Sequence, residues 1–160
     1  MGKWIAGKRN LIITGPCGVG KTWLACALAQ AACREGVTVL YKRATRLFDE
    51  LELAHGDGRF PRVFKALTKT QLLILDDWGL EPLKTAQRND LMEIMDDRHG
   101  TSSTLIISQL PTEQWYEMIG DNTLADAILD RVMHNSHRLK LKGESMRKKL
   151  NSLTHGEHLG

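Results

Sequence analysis

The densest chemical signal in the chain is the run Gly15-Pro16-Cys17-Gly18-Val19-Gly20-Lys21-Thr22. It matches G-x-x-x-x-G-K-[ST] in full, with an apolar run before it and a helical pattern after it. The glycines free the backbone to aim successive N–H groups at phosphate oxygens. The helix that opens at Lys21 adds its positive dipole end. The Lys21 ammonium suits β- and γ-phosphates, the Thr22 hydroxyl suits one magnesium position, and Pro16 stiffens the loop entry. The expectation is a site for ATP with magnesium, contacted by Gly15 through Thr22 and by Trp23, the next residue.

Three further features fit that chemistry. The apolar run Leu72-Leu73-Ile74-Leu75 ends in Asp76-Asp77, the form of a Walker B element. Asp76 would hold magnesium directly or through water, and Asp77 would activate the attacking water. Asp77 is one methylene shorter than the glutamate many ATPases use there, so slow hydrolysis is expected. A second run, Thr104-Leu105-Ile106-Ile107, ends in Ser108-Gln109. Gln109, with Ser108 second, is the candidate to touch the γ-phosphate or the water. Arg131 and Arg147 could each stabilise charge on a breaking phosphate bond. Spacing does not choose between them, nor exclude surface roles.

These residues need a scaffold that gathers strand ends, and the chain alternates short apolar runs with helical patterns. This reads as α/β with a mostly parallel sheet. Strands are expected at Leu11–Thr14, Val37–Tyr41, Leu72–Leu75, Thr104–Ser108 and His137–Leu141. Helices are expected at Lys21–Arg34, Ala44–His55, Phe60–Leu67, Gln87–Arg98, from Pro111-Thr112 onward with Thr112 as cap, and at Leu124–His134. A basic terminal helix is expected over 145–153. No repeat, linker or second domain is visible. The expectation is one domain over 1–160, with a phosphate-loop core over 10–142 and a basic helical tail over 143–153.

Composition is consistent with that reading. The chain has 160 residues, 42% hydrophobic and 26% charged, which suits one soluble domain. No apolar stretch approaches the roughly 20 residues a bilayer span requires. The N-terminus carries neither a secretory signal nor a myristoylation motif, so a cytoplasmic protein is expected. Three cysteines, Cys17, Cys26 and Cys33, argue against a disulfide framework and lack zinc spacing. Buried thiols are the expectation for them. The net charge of +3 decides little, but Arg131, Arg138, Lys140, Lys142, Arg147, Lys148 and Lys149 face one acid, Glu144, over the same stretch. Such a run could meet phosphates or form a solvated face.

Taken together, four segments resemble the IstB family, the ATP-binding helper proteins of insertion-sequence transposons. They are Gly15–Thr22, Leu72–Leu80, Ser108-Gln109-Leu110-Pro111, and Leu124–Arg131 continuing through Gly143-Glu144-Ser145-Met146-Arg147. That family is similar in turn to the DnaC helicase loader and the DnaA initiator within the AAA+ ATPases. The resemblance runs from Trp4 to about Lys149. It implies a P-loop NTPase fold with an AAA+ core: a five-stranded parallel sheet of order 5-1-4-3-2 with helices on both faces. It implies that Arg131 is an arginine finger reaching a neighbouring subunit, and that Arg147 senses nucleotide in its own subunit. Gln109 would fill the first sensor position, where relatives such as DnaC more often carry Asn. Hydrolysis would then need a homo-oligomer. The helices between Ala44 and Leu67 would be an insertion facing DNA, with Lys42, Arg43, Arg46, Arg59, Arg62, Lys65 and Lys69 available for backbone phosphates. Salt bridges to Asp49, Glu50, Glu52 and Asp57 are the competing reading for some of them. The family also has a segment ahead of the phosphate loop, whereas the first strand here begins about ten residues from Met1. A core without that segment, from a truncated gene copy or an excision, is therefore expected.

The leading expectation is a DNA-associated ATPase that assembles with nucleotide and assists a transposase. A helicase loader shares the chemistry and differs only in partner. A small-molecule P-loop kinase is a separate class, against which the Asp76-Asp77 pair favours water as acceptor. A nucleotide-gated binding module without hydrolysis is the third class.

Overall fold

The computed structural model describes residues 3–142. Arg147 and the basic helix expected over 145–153 lie outside the described residues. Among the described residues the strands are β1 (Asn10–Thr14), β2 (Val39–Arg43), β3 (Leu72–Asp76), β4 (Ser103–Ser108) and β5 (Ser136–Lys140). The helices are α1 (Lys3–Ala6), α2 (Lys21–Arg34), α3 (Ala44–Asp57), α4 (Phe60–Lys69), α5 (Thr85–Arg98), α6 (Trp115–Ile119) and α7 (Asn122–Met133). One five-stranded sheet runs β2-β3-β4-β1-β5, and every pairing is parallel. This is the order 5-1-4-3-2 that the family resemblance implies, in a P-loop α/β fold of the AAA+ type.

The apolar strands read as continuous runs because both faces of the sheet are covered. Side chains alternate across a strand, so one run feeds two cores. Ile12, Leu73, Leu75 and Ile106 pack with Leu47, Leu51, Leu91, Ile94 and Ile128 of the α3–α7 side. Leu11, Ile13, Leu72, Ile74, Leu105 and Ile107 pack with Ile5 of α1 and with Ala25 and Ala32 of α2. β3 and β4, flanked on both sides, are buried at every position.

Several boundaries differ from the sequence expectation. β2 lies two residues later, at Val39–Arg43. Val37 N–H donates to Ala32 O, closing the end of α2, and Thr38 is held by Gln71, so neither opens the strand. The ladder with β3 instead carries Lys42 and Arg43 into register with Leu75 and Asp76. α3 continues through Gly56 and Asp57 and stops at Gly58, whose φ of 82° a side chain rarely adopts. Thr112 is not a cap: it begins a single 3₁₀ turn, Thr112–Gln114, behind Pro111. α7 is capped by Asp121, whose Oδ1 accepts from Leu124 N–H at 2.9 Å. The cysteines are exposed, against the expectation. The α2 face that meets the sheet is Lys21, Ala25 and Ala32, with Leu24 and Leu28 half-buried. Cys26 and Cys33 each follow a buried alanine by one position, a 100° rotation toward solvent.

A buried cation ties the lower end of the sheet. Arg98, only 2% exposed, closes α5 and donates to Leu67 O at 2.9 Å, Thr70 O at 2.7 Å and Thr104 Oγ1 at 3.0 Å, and also to Ser103 O. These partners come from the end of α4, the entry to β3 and the start of β4. Burial lowers its pKa to about 10, with Asp97 acting the other way, so it stays charged at neutral pH. Arg98→Met strands several buried acceptors at once and is expected to cost about 3 kcal/mol in urea unfolding. Arg59→Met, which breaks only an exposed pair with Asp57, leaves the urea midpoint in place. Equal midpoints for the two variants would refute this role for Arg98.

Candidate functional site: a phosphate cleft at the carboxyl ends of the strands

The loop between β1 and α2 takes its shape from glycines at left-handed angles. Gly18 has φ 85° and Gly20, which precedes the first turn of α2, has φ 96°. At Gly15 the constraint is close approach: a Cβ there would lie 2.7 Å from Leu141 O and 3.1 Å from Val19 Cγ2. Val19 is 3% exposed, and its side chain packs beneath Gly15 and anchors the loop from below. Lys21 is buried in the first turn of α2, and its ammonium donates to Pro16 O at 2.7 Å. Burial lowers its pKa, with Cys17, Asp76 and Asp77 opposing. A desolvated cation without an ion-pair partner is suited to receive an anion.

A cleft of about 490 Å³ opens above the loop. Cys17, Gly18, Gly20, Lys21, Thr22, Trp23, Asp76, Asp77 and Gln109 line it. Gly15, Pro16 and Cys17 also border an adjoining hollow with Gln109, Pro111 and the 140–142 segment. The structure thus brings the candidates Gly15 to Trp23, Asp76, Asp77 and Gln109 to one place. Ser108, the second choice for a γ-phosphate contact, faces elsewhere. It is 1% exposed, its hydroxyl donates to Trp78 O and accepts from Leu110 N–H, and so it shapes the turn.

Each carboxylate at the end of β3 is held by a residue of β2. Asp76 Oδ2 accepts from the Tyr41 hydroxyl and from Thr22 Oγ1 at 3.4 Å, and Asp76 Oδ1 accepts from Asp77 N–H at 2.8 Å. Burial and the contact with Asp76 push the Tyr41 phenol above its ordinary pKa, so it remains a donor. Asp77 adopts a φ of 55°, uncommon for a residue with a Cβ, which turns its side chain away from the strand direction. Its Oδ2 accepts from Arg43 Nη2 at 2.6 Å and Nε at 3.0 Å. Thr22 and Asp76 present hard oxygens side by side, a donor pair that fits magnesium rather than a thiophilic metal.

Sequence reasoning missed Tyr41 and the role of Arg43. Residues two apart on a strand share a face, but the apolar run of β2 stops before Arg43, and only the ladder with β3 carries the strand that far. Three cations expected to face DNA are occupied. Arg43 pairs with Asp77, Lys42 with Glu50 at 2.8 Å and Arg59 with Asp57 at 2.7 Å.

Arg131 is not part of this cleft. Its carbonyl accepts from Asn10 Nδ2 at the start of β1, whereas the phosphate loop follows the end of that strand, roughly 13 Å away at 3.3 Å per residue. Its guanidinium donates to Asp96 Oδ1 of α5 at 3.0 Å and to Ala127 O at 3.3 Å.

A family model described as IstB-like ATP binding protein matches residues 2–154. The chain belongs to this family. An insertion sequence ATP-binding protein of Sinorhizobium fredii is 58% identical over 147 residues, covering 92% of this chain and 60% of the relative. The ATP-binding protein of insertion sequence IS21 from Pseudomonas aeruginosa is 39% identical, covering 88% and 53%. The IstB-like chain therefore spans little more than half the length of these relatives. Among solved structures, DnaI superposes with a TM-score of 0.78 at 22% identity, covering 87% of this chain and 79% of that one. DnaA bound to AMPPCP and single-stranded DNA superposes at 0.75 and 18% identity, covering 96% and 46%. These likenesses show the fold. No helix among the described residues is long and apolar enough to cross a membrane.

Removing the Lys21 ammonium should cost one charge-assisted contact in a desolvated site. Lys21→Ala is expected to weaken ATP binding about 30- to 100-fold in a fluorescent-nucleotide titration, with melting unchanged. Undiminished affinity would show that the nucleotide is held elsewhere.

Proposed function

We propose that this IstB-like chain hydrolyses ATP, with magnesium, as the core of an oligomer on DNA that assists a transposase. The observation that carries the reading is the separation of Arg131 from the cleft of its own chain. The cleft supplies a phosphate loop, Lys21, a magnesium position at Thr22 and Asp76, and a carboxylate for water at Asp77. It holds no arginine directed at a γ-phosphate among the described residues. Arg131 lies at the opposite end of β1 and would serve a neighbour, and Gln109 is the residue of the cleft itself that would touch the γ-phosphate or the water. Arg147, outside the described residues, keeps its proposed role as the same-subunit sensor. The whole chain, 1–160, acts as one ATPase domain in this reading.

Asp77 acts as the base once it leaves Arg43, since a carboxylate oxygen already bonded twice by a guanidinium is a poor acceptor for water's proton. DNA would meet α4, where Arg62, Lys65 and Lys69 are exposed along one face and form no ion pair among the described residues, together with exposed Arg46 of α3. A transposase as partner is supported by the insertion-sequence names of the relatives. The helicase-loader alternative is addressed by pull-down with each partner.

The test is subunit mixing. Lys21→Ala and Arg131→Ala are each expected to be inactive alone with DNA. Mixed, they should recover part of the phosphate release, because an Arg131→Ala subunit keeps an intact cleft that a Lys21→Ala neighbour can complete. Activity of Arg131→Ala alone equal to wild type would end the reading. Asp77→Asn is expected to lower turnover by roughly 10²–10⁴ while ATP stays bound. Unchanged turnover would remove Asp77 as the base.

A further inference from the structure

The end of β2 places two donors over the two carboxylates that close β3, and only one of them is explained by the proposed hydrolysis. Arg43 restrains the water-activating Asp77. Tyr41, two residues earlier and therefore on the same face of the strand, reaches Asp76. Lys42, between them, faces the other way and pairs with Glu50. The sheet register sets this up. Arg43 lies opposite Asp76 and Tyr41 opposite Ile74, so the long tyrosine ring spans one pleat to bring its hydroxyl to the carboxylate.

The Tyr41 ring is not a core residue. It is 42% exposed on an edge strand, outside both apolar clusters. Among the described residues its one side-chain hydrogen bond runs from the hydroxyl to Asp76. That contact falls on Oδ2, the same oxygen that lies 3.4 Å from Thr22 Oγ1. The other oxygen, Oδ1, is fixed by the Asp77 N–H. Asp76 is thereby held at both oxygens, with Oδ2 directed at the threonine. An octahedral magnesium with ligands at 2.0–2.1 Å needs neighbouring oxygens about 3 Å apart. A freely rotating carboxylate would have to be ordered when the ion arrives, whereas this one is already aimed.

We propose that Tyr41 is a positioning residue for the metal site: its hydroxyl orients Asp76 toward Thr22 and so raises the affinity of the cleft for magnesium. The inference rests on the reading of Thr22 and Asp76 as magnesium ligands. Removing an outer partner of a metal ligand typically costs 10- to 100-fold in metal affinity. Tyr41→Phe deletes one oxygen and leaves the ring, the strand and the phosphate loop in place.

The experiment is a magnesium titration of the full chain with a fluorescent ATP analogue, beginning in EDTA. Wild type, Tyr41→Phe and Asp76→Asn are compared, with thermal melting of each. For Tyr41→Phe the magnesium midpoint is expected to rise about tenfold, while nucleotide affinity in EDTA and the melting temperature match wild type. A purely structural role would instead weaken nucleotide binding in EDTA and lower the melting temperature. A raised midpoint for Asp76→Asn with an unchanged midpoint for Tyr41→Phe overturns the role of Tyr41 alone. Unchanged midpoints for both variants overturn the metal assignment itself, and the inference with it.

Discussion

The pairing of β3 between β2 and β4 is the constraint on which the site depends. A strand with neighbours on both edges and helices on both faces has no freedom of register, because a slip of one residue would turn Leu73 and Leu75 from one core into the other. That register ends with Asp76 level with Arg43 of β2, while the paired β1 and β4 end at Thr14 and Ser108. Parallel strands all finish at the same edge, so the phosphate loop, both carboxylates and Gln109 meet there without any long-range loop to carry them. The apolar pairing at the centre of the sheet is what gives the polar ends their positions.

This division explains what could be read from the chain and what could not. The strands β1, β3 and β4 were legible because continuous apolar runs bounded by polar residues have few other solutions. The phosphate loop was legible because glycines, a lysine and a threonine at fixed spacing serve one backbone geometry. Asp76 and Asp77 followed from their place at the end of an apolar strand. Their partners were not legible. Tyr41 and Arg43 belong to an edge strand whose apolar run stops early, and only the ladder with β3 shows that the strand continues. Ser108 looked chemically apt, but its hydroxyl is used by Trp78 and Leu110 within the turn. The cysteines were misread because α2 presents alanines, not its larger residues, at closest approach to the sheet. Arg98 escaped notice because a buried arginine with only carbonyl and hydroxyl partners leaves no charge pattern in the sequence.

Charge within the cleft bears on why the proposed chemistry requires help from outside the chain. Lys21, Asp76 and Asp77 are the charged residues that line it. Arg43 already neutralises Asp77, and Lys21 and Asp76 offset one another, leaving the cleft with little net charge among the described residues. A triphosphate brings several negative charges into that space, and at separations of a few ångströms their repulsion is weakly screened in a partly dehydrated cleft. Backbone N–H groups and the α2 dipole offset part of this, but they act on the phosphates nearest the loop. In the proposed chemistry, compensation at the γ-phosphate would come from Lys21, from a divalent ion at Thr22 and Asp76, and from a guanidinium of a neighbouring copy. On that reading Arg131, which does not line this cleft, would supply the guanidinium from a second copy. Asp96 holds that guanidinium at the far end of the sheet, and on the proposed reading ATP turnover would wait on assembly.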